Sequence, residues 1–289
     1  MAEELRFDPS GLDKWTEENR FEVTRERLIE YAKATNDPIE RHLAGDVASP
    51  VFAIVPVFQS LLEPALEVVP PSLFGNVLHG EQDFRFHRPI RPGDKLVSRG
   101  KMIGYQGLPK GTRATVYLET RDEAGELVNE QYVMFFVRGF DTGEERGELA
   151  PEHKFDEALR ANSAAGKVSQ HVDDDQTFRY GPAAGDPMPI HLDEEIAKAS
   201  GLPGIIAHGL CTMAFTSWAL LTELGESDVD RLRRLAVRFA KPVLPGQDLS
   251  TTIWRAGSAG GVTSYAYETK VGDTVVISDG LAEISEGTS

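Results

Sequence analysis

Two stretches of this chain occur twice. Phe86-His87-Arg88-Pro89-Ile90-Arg91-Pro92-Gly93 returns 153 residues later as Phe239-Ala240-Lys241-Pro242-Val243-Leu244-Pro245-Gly246. Tyr31-Ala32-Lys33-Ala34-Thr35-Asn36-Asp37-Pro38 returns 149 residues later as Tyr180-Gly181-Pro182-Ala183-Ala184-Gly185-Asp186-Pro187. A chain of 289 residues that repeats at about half its length is two copies of one unit, so any fold assigned to it must be built twice. Each copy reads as a short strand or helix, a loop, an apolar helix and a run of strands. That is an α+β unit whose antiparallel sheet wraps a helix. One such sheet leaves a long edge exposed, and two units joined by their sheets answer that problem. The boundaries read as 1–140 for the first copy, 141–168 for a charged linker and 169–289 for the second copy.

In the first copy a polar lead-in precedes a strand near 21–23. Thr24 is a good N-cap for a helix over 25–34, with Glu26 in its first turn. The loop Thr35-Asn36-Asp37-Pro38 and an apolar segment over 51–69 follow. Strands are expected at 81–86, 95–103, 112–121 and 127–138, with turns at Arg91-Pro92-Gly93 and Glu123-Ala124-Gly125. The linker lacks strand alternation and offers one short helix near 155–160. The second copy opens on a loop through Asp186 and His191, then a helix over 192–200 ended by Gly201, then an apolar helix over 208–224. Its strands are expected at 235–240, 248–256, 261–270 and 274–285.

The chemistry concentrates in the second copy. Asp186 and His191 are separated by Pro187-Met188-Pro189-Ile190, and the two prolines forbid a regular helix between them. A stiff loop holds a carboxylate and an imidazole in a fixed relation, as acid/base chemistry requires. From Gly209 onward the apolar helix begins with unpaired amides able to receive developing negative charge. Taken singly, Asp-Pro is common turn chemistry and His208-Gly209 is an ordinary way to begin a helix. The first copy keeps Asp37 and His42 at the same spacing but lacks the second proline, and Ser49-Pro50 stands where His208-Gly209 stands in the second. His171 with Asp173, Asp174 and Asp175 reads as a solvated helix start, and no set of side chains has convincing metal-ligand spacing.

A net charge of −16 argues against nucleic acid as a partner and makes any anionic ligand depend on a local basic patch. The lone Cys211 excludes an internal disulfide, suits a reducing cytoplasm, and reads as buried filler within the helix. The N-terminus MAEELRFDPS lacks a signal-peptide core, and the apolar run 48–62 is broken by Pro50 and Pro56, so no membrane association is expected. Homodimerisation is the default oligomeric expectation.

In order and spacing, the second copy resembles the MaoC-like (R)-specific enoyl-CoA hydratases, or hydratase 2. That family carries Gly-Asp-x-Asn-Pro-x-His, a short acidic helix and then His-Gly at the start of a central helix. Gly185, Asp186, Pro187, Met188, Pro189, Ile190 and His191 agree at six of seven positions, with Met188 where the family has Asn. The strand and turn from Val237 to Gly246 are similar too, so the resemblance covers most of 170–285. Leu78-His79-Gly80-Glu81-Gln82 also resembles a motif of the family's first half. The resemblance implies a double hot dog fold, with a degenerate first copy whose Val51-Phe52-Ala53-Ile54-Val55 segment lines an acyl pocket or simply packs the core. It further implies reversible syn hydration of a trans-2-enoyl-CoA thioester with no cofactor or metal. Asp186 and His191 would share one water, and the Gly209 amide would hold the thioester oxygen. Met188 would meet substrate in place of the amide, and Arg238 and Lys241, with Arg233 and Arg234 behind them, would meet the phosphates of the acyl-CoA. A non-catalytic acyl-thioester binding subunit and a thioesterase are the alternatives, since one fold hosts several functions.

Overall fold

The computed structural model describes residues 5–287, so the first four residues of the acidic N-terminus lie outside the description. In chain order the elements are β1 (Asn19–Glu22), α1 (Arg25–Ala34), α2 (Glu40–Leu43), α3 (Gln59–Val68), β2 (Val77–Phe86), β3 (Lys95–Leu108), β4 (Gly111–Asp122), β5 (Leu127–Arg138) and β6 (Glu145–Gly147). Then come β7 (Gly166–His171), α4 (Gln176–Ala184), α5 (Glu194–Ala199), α6 (Gly209–Leu224), β8 (Leu232–Phe239), β9 (Asp248–Ala259), β10 (Val262–Val271) and β11 (Thr274–Ser285). Helix α1 spans the residues expected of it, and the Thr24 hydroxyl accepts the Arg27 N–H at 3.3 Å as its N-cap. Asp193 caps α5 by accepting the N–H groups of Glu195 and Ile196.

The chain divides into two compact units. One takes in the chain up to Phe21, Pro56–Phe84 and Lys95–Glu152; the other takes in Glu22–Val55, Arg85–Asp94 and the chain from His153 onward. In the first unit the strand order is β1-β3-β4-β5-β2, with β6 paired antiparallel to β3. β3, β4 and β5 pair antiparallel, and α3 lies against β3 and β4. Their inward residues Leu96, Met102, Val116, Leu118, Val133 and Val137 are fully buried, as a sheet with one face on a core requires.

In the second unit the order is β8-β11-β10-β9-β7, again antiparallel. The sheet curls around α6, which touches β7, β8, β9 and β11. Sixteen residues make α6 about 24 Å long, and eleven of them are buried, which explains why it is apolar on nearly every side. Alongside it α1 packs against α4, with the Tyr31 and Tyr180 rings edge to face at 5.7 Å and their hydroxyls 3.4 Å apart. Cys211 is buried in α6, which pushes its thiol far above the usual range, as expected of filler.

Three expectations need correction. The stretch before Asp186 is not loop: α4 runs through it to Ala184 despite Pro182. Tyr180, Gly181, Ala183 and Ala184 are buried, and that burial outweighs the hydrogen bond the proline removes. The linker is not free of strands, because Glu145–Gly147 pairs with β3 and Gly166–His171 with β9. Finally, the apolar segment of the first copy is not one helix. Pro50–Val57 forms a 3₁₀ helix containing Pro56, and α3 follows at a bend of 57°. That bent pair matches a membrane span in length and composition only, and among the described residues no single helix is long and apolar enough to cross a membrane.

Candidate active site

The site is built where α4 stops. Gly185 adopts the left-handed conformation (φ 76°) that ends a helix at low cost in glycine, and the Asp186 N–H donates to the Gly181 carbonyl at 2.9 Å. Asp186 Oδ1 accepts the Met188 N–H at 3.0 Å, a local turn that fixes the carboxylate relative to its own loop. Between the two prolines the chain can only enter the 3₁₀ turn Pro189–His191, where the His191 N–H donates to the Met188 carbonyl.

His191 Nδ1 lies 2.8 Å from the Ile206 carbonyl oxygen. A carbonyl only accepts, so the proton sits on Nδ1 and the Nε2 lone pair is left for other work. Burial lowers the His191 pKa, opposed by the Ile206 carbonyl and Asp186, and the ring is neutral at pH 7. Burial likewise raises the Asp186 pKa, opposed by the Met188 N–H and His191.

His208, the N-cap residue of α6, completes the group. Its ring stacks on His191 with centroids 3.9 Å apart, lies 4.9 Å from the Tyr180 ring, and brings Nε2 to 4.0 Å from Asp186 Oδ2. Burial, and then His191 beside it, push its pKa down to about 3, so it is a neutral neighbour and not half of an ion pair. Sequence reasoning singled out Gly209 and passed over the side chain before it; the His-Gly pair was the available signal.

Asp186, His191 and His208 each place a donor atom within 4.8 Å of the others. Tetrahedral zinc with bonds of about 2.0–2.2 Å needs donors roughly 3.3–3.5 Å apart. The two imidazoles are face to face, 27° from parallel, so their lone pairs run side by side instead of converging. The arrangement suits hydrogen bonding, not coordination.

Gly209 stands at the first position of α6, where its N–H has no acceptor within the helix. An added Cβ would meet the Phe239 ring at 3.2 Å, so the end of β8 lies directly against this helix start. Arg238 and Lys241 flank that contact along the chain and are exposed, as is Arg233, whereas Arg234 lies 3.7 Å from Glu283. Met188 is 44% exposed, and its main-chain N–H donates to Asp186.

The pair in the first copy is arranged differently. Asp37 Oδ2 accepts from His42 Nδ1 at 2.7 Å and from the Ser49 hydroxyl at 2.6 Å, while Oδ1 accepts the Ile39 N–H at 3.0 Å. All three side chains are buried. Pro50 stands where Gly209 stands in the second copy, and proline has no N–H to offer. Val51, Phe52 and Ile54 are fully enclosed core, while Ala53 borders a small cleft with Ala48, Ser49 and Ile90. His171 pairs with Asp248 at 2.7 Å on the surface. His79, packed 5.8 Å from the Phe135 ring, has its pKa pushed down to about 4 by burial.

The MaoC-like domain profile matches residues 160–277, and that of the FAS1-like dehydratase domain region matches 13–131. The chain is 30% identical to 3-hydroxyacyl-thioester dehydratase Y of Mycobacterium tuberculosis, over 98% of this chain and all of that protein. It is 27% identical over 81% of its length to peroxisomal multifunctional enzyme type 2 of mouse, of which the match spans 31%. Among solved structures, a MaoC-like dehydratase of Phytophthora capsici superposes with a TM-score of 0.83 at 24% identity, covering 96% of this chain and 98% of the other. A Mycobacterium tuberculosis protein described as a double hotdog superposes at 0.62 with 13% identity, covering 94% and 95%. Both structures speak to the fold alone. The chain belongs to the MaoC-like dehydratase family, and its fold is the double hot dog.

Proposed function

We propose that the Asp186–His191 site carries out the reversible hydration of a trans-2-enoyl-CoA to an (R)-3-hydroxyacyl-CoA. The chain is thus a hydro-lyase of the hydratase 2 type. The observation that carries the reading is the His191 ring, pinned at Nδ1 by a carbonyl, with a ring nitrogen and an Asp186 carboxylate oxygen gathered within 4.8 Å.

A water held between the two side chains loses a proton to His191 Nε2 as its oxygen bonds to the β-carbon. The same proton passes to the α-carbon on the same face, so addition is syn and nothing else is consumed. Asp186 accepts the second O–H and holds the oxygen lone pair towards carbon. As the double bond opens, enolate charge grows on the thioester oxygen, where the Gly209 N–H receives it. Arg238 and Lys241 take the phosphates of CoA against an otherwise acidic surface. Met188, exposed at the rim, contacts the part of the acyl group that sets specificity.

In sequence we assign two tandem copies, 1–140 and 169–289, joined by 141–168, with the first degenerate because its carboxylate and imidazole are enclosed and Pro50 offers no amide. A lone buried thiol fits a cytoplasmic enzyme, and a two-fold homodimer is the natural assembly.

Loss of enoyl-thioester absorbance with crotonyl-CoA and with a longer trans-2-enoyl-CoA, yielding the (R)-alcohol, tests the reading. Asp186→Asn and His191→Ala are the controls. Acyl-CoA binding without any turnover would replace it with a binding subunit.

A further inference from the structure

A buried ring nitrogen without a partner costs free energy and calls for an explanation. His208 carries two. Its ring is 1% exposed, and neither Nδ1 nor Nε2 makes a hydrogen bond. The groups facing it are Asp186, through its carboxylate across 4.0 Å and its main-chain carbonyl, His191 stacked on it, and Tyr180 at 4.9 Å. Tyr31 lies behind Tyr180, and Cys211 lies in the first turn of α6. None of these is a cation.

The internal repeat supplies the comparison. Asp37 corresponds to Asp186, His42 to His191, and Ser49, just before Pro50, to His208, just before Gly209. In the first copy the residue in this place donates to the carboxylate at 2.6 Å. In the second copy the corresponding atoms stand 4.0 Å apart, and Asp186 Oδ1 is already committed to the Met188 N–H, leaving Oδ2 towards His208.

We propose that His208 is a positioning residue for the hydratase reaction: its Nε2–H donates to Asp186 Oδ2 and holds that carboxylate in place for the water, as Ser49 does for Asp37. The loop has to close by about 1 Å for the bond to reach ordinary length. In this role His208 supplies, from the helix start, the polar restraint that a thioether at position 188 does not. The inference rests on the hydratase reading for its meaning, but its test does not.

The test is the titration of the Asp186 carboxyl carbon by ¹³C NMR in the wild type, His208→Phe and His208→Gln. Phenylalanine keeps the ring and removes the donor; glutamine keeps a donor. The Asp186 midpoint is expected to rise in His208→Phe and to return towards wild type in His208→Gln, because losing a donor disfavours the charged carboxylate. Turnover is expected to fall roughly ten- to a hundredfold in kcat in His208→Phe, the size of a lost hydrogen bond to a charged group, with KM little changed. Identical titrations in the wild type and His208→Phe would overturn the proposal. So would equal shifts in both variants, which would mean that ring packing alone matters. A wild type without turnover would sink the hydratase reading, while the titration would still decide the role of His208. Should His208→Phe not fold, His208→Met, also lacking a donor, takes its place.

Discussion

At the scale of the residue, the site trades stability for chemistry in a way that pH exposes. The Asp186 pKa is raised in the folded chain, so the unfolded chain releases that proton first. The buried carboxylate therefore costs stability at every pH above the ordinary carboxylate range, and the cost disappears below it. Asp186→Asn is expected to raise the melting temperature at pH 7 and to lose that advantage near pH 3, while kcat falls by roughly 10²–10⁴-fold, the usual weight of a general acid–base group. Calorimetry at the two pH values, beside the enoyl-thioester assay, checks both halves. The histidines act in the opposite sense. His191 and His208 have lowered pKa values, so their contribution is intact above about pH 6.5, the ordinary value for histidine, and is lost as the pH falls. For His208 the loss continues down to about pH 3. Urea unfolding between pH 7 and 4 should show a shallower decline in His208→Phe, by up to about 1.4 kcal/mol per pH unit. An unchanged slope would mean that the imidazole is not held neutral.

At the scale of the element, α6 does two jobs that can be separated. Its first N–H groups have no acceptor within the helix, and its apolar flanks carry the core. Proline is tolerated at the first position of a helix, and His208 already has the extended backbone (φ −60°, ψ 134°) that a following proline demands. Gly209→Pro is thus expected to fold with an intact α6 yet lose about 10²–10³-fold in kcat, the weight of one oxyanion donor. Gly209→Ala places a comparable Cβ at 3.2 Å from the Phe239 ring but keeps the N–H, so kinetics and melting temperatures of the two variants together separate the amide from the crowding. The same elements show what could be read from the chain beforehand. The boundaries of α1, α6, β5 and β11 were legible because caps and alternation mark them. Helix α4 was not, because Gly181, Pro182 and Gly185 mark a loop by local preference, and only burial against α1 overrules them. Its alignment with Tyr31–Ala34, which did read as helix, was the overlooked sign. Strands β6 and β7 are too short and too polar for alternation to reveal; their pairing partners define them. For the site, the spacing pointed to Asp186 and His191, which the fold brings together, and the His-Gly pair marked the position of His208, but the stacking of its ring on His191 is a product of packing.

At the scale of the whole molecule, a doubled chain raises the question of what the first copy does with the same carboxylate and imidazole. Its Asp37, His42 and Ser49 form a closed set: the carboxylate accepts three hydrogen bonds, every member is buried, and the following residue is a proline. The carboxylate at its centre is fully bonded and costly to release, while the buried His42 Nε2 has no partner. The second copy has the same carboxylate and imidazole spacing, but its carboxylate accepts one ordinary hydrogen bond in place of three, from the Met188 N–H, with Oδ2 facing His208 across 4.0 Å. Removing the carboxylate should therefore have opposite consequences in the two places. Asp37→Ala strands the His42, Ser49 and Ile39 donors and is expected to cost roughly 2–4 kcal/mol, since each unpaired buried group costs about 1–3 and relaxation recovers part. Its kcat at a temperature where it remains folded should stay near that of the wild type. Asp186→Asn should do the reverse, stabilising the chain and abolishing most turnover. Urea titrations and initial rates on the two variants in parallel decide the matter. A large loss of kcat in folded Asp37→Ala would place the first copy in the chemistry after all, and an equal loss of stability in both variants would mean that the second carboxylate is as fully bonded as the first.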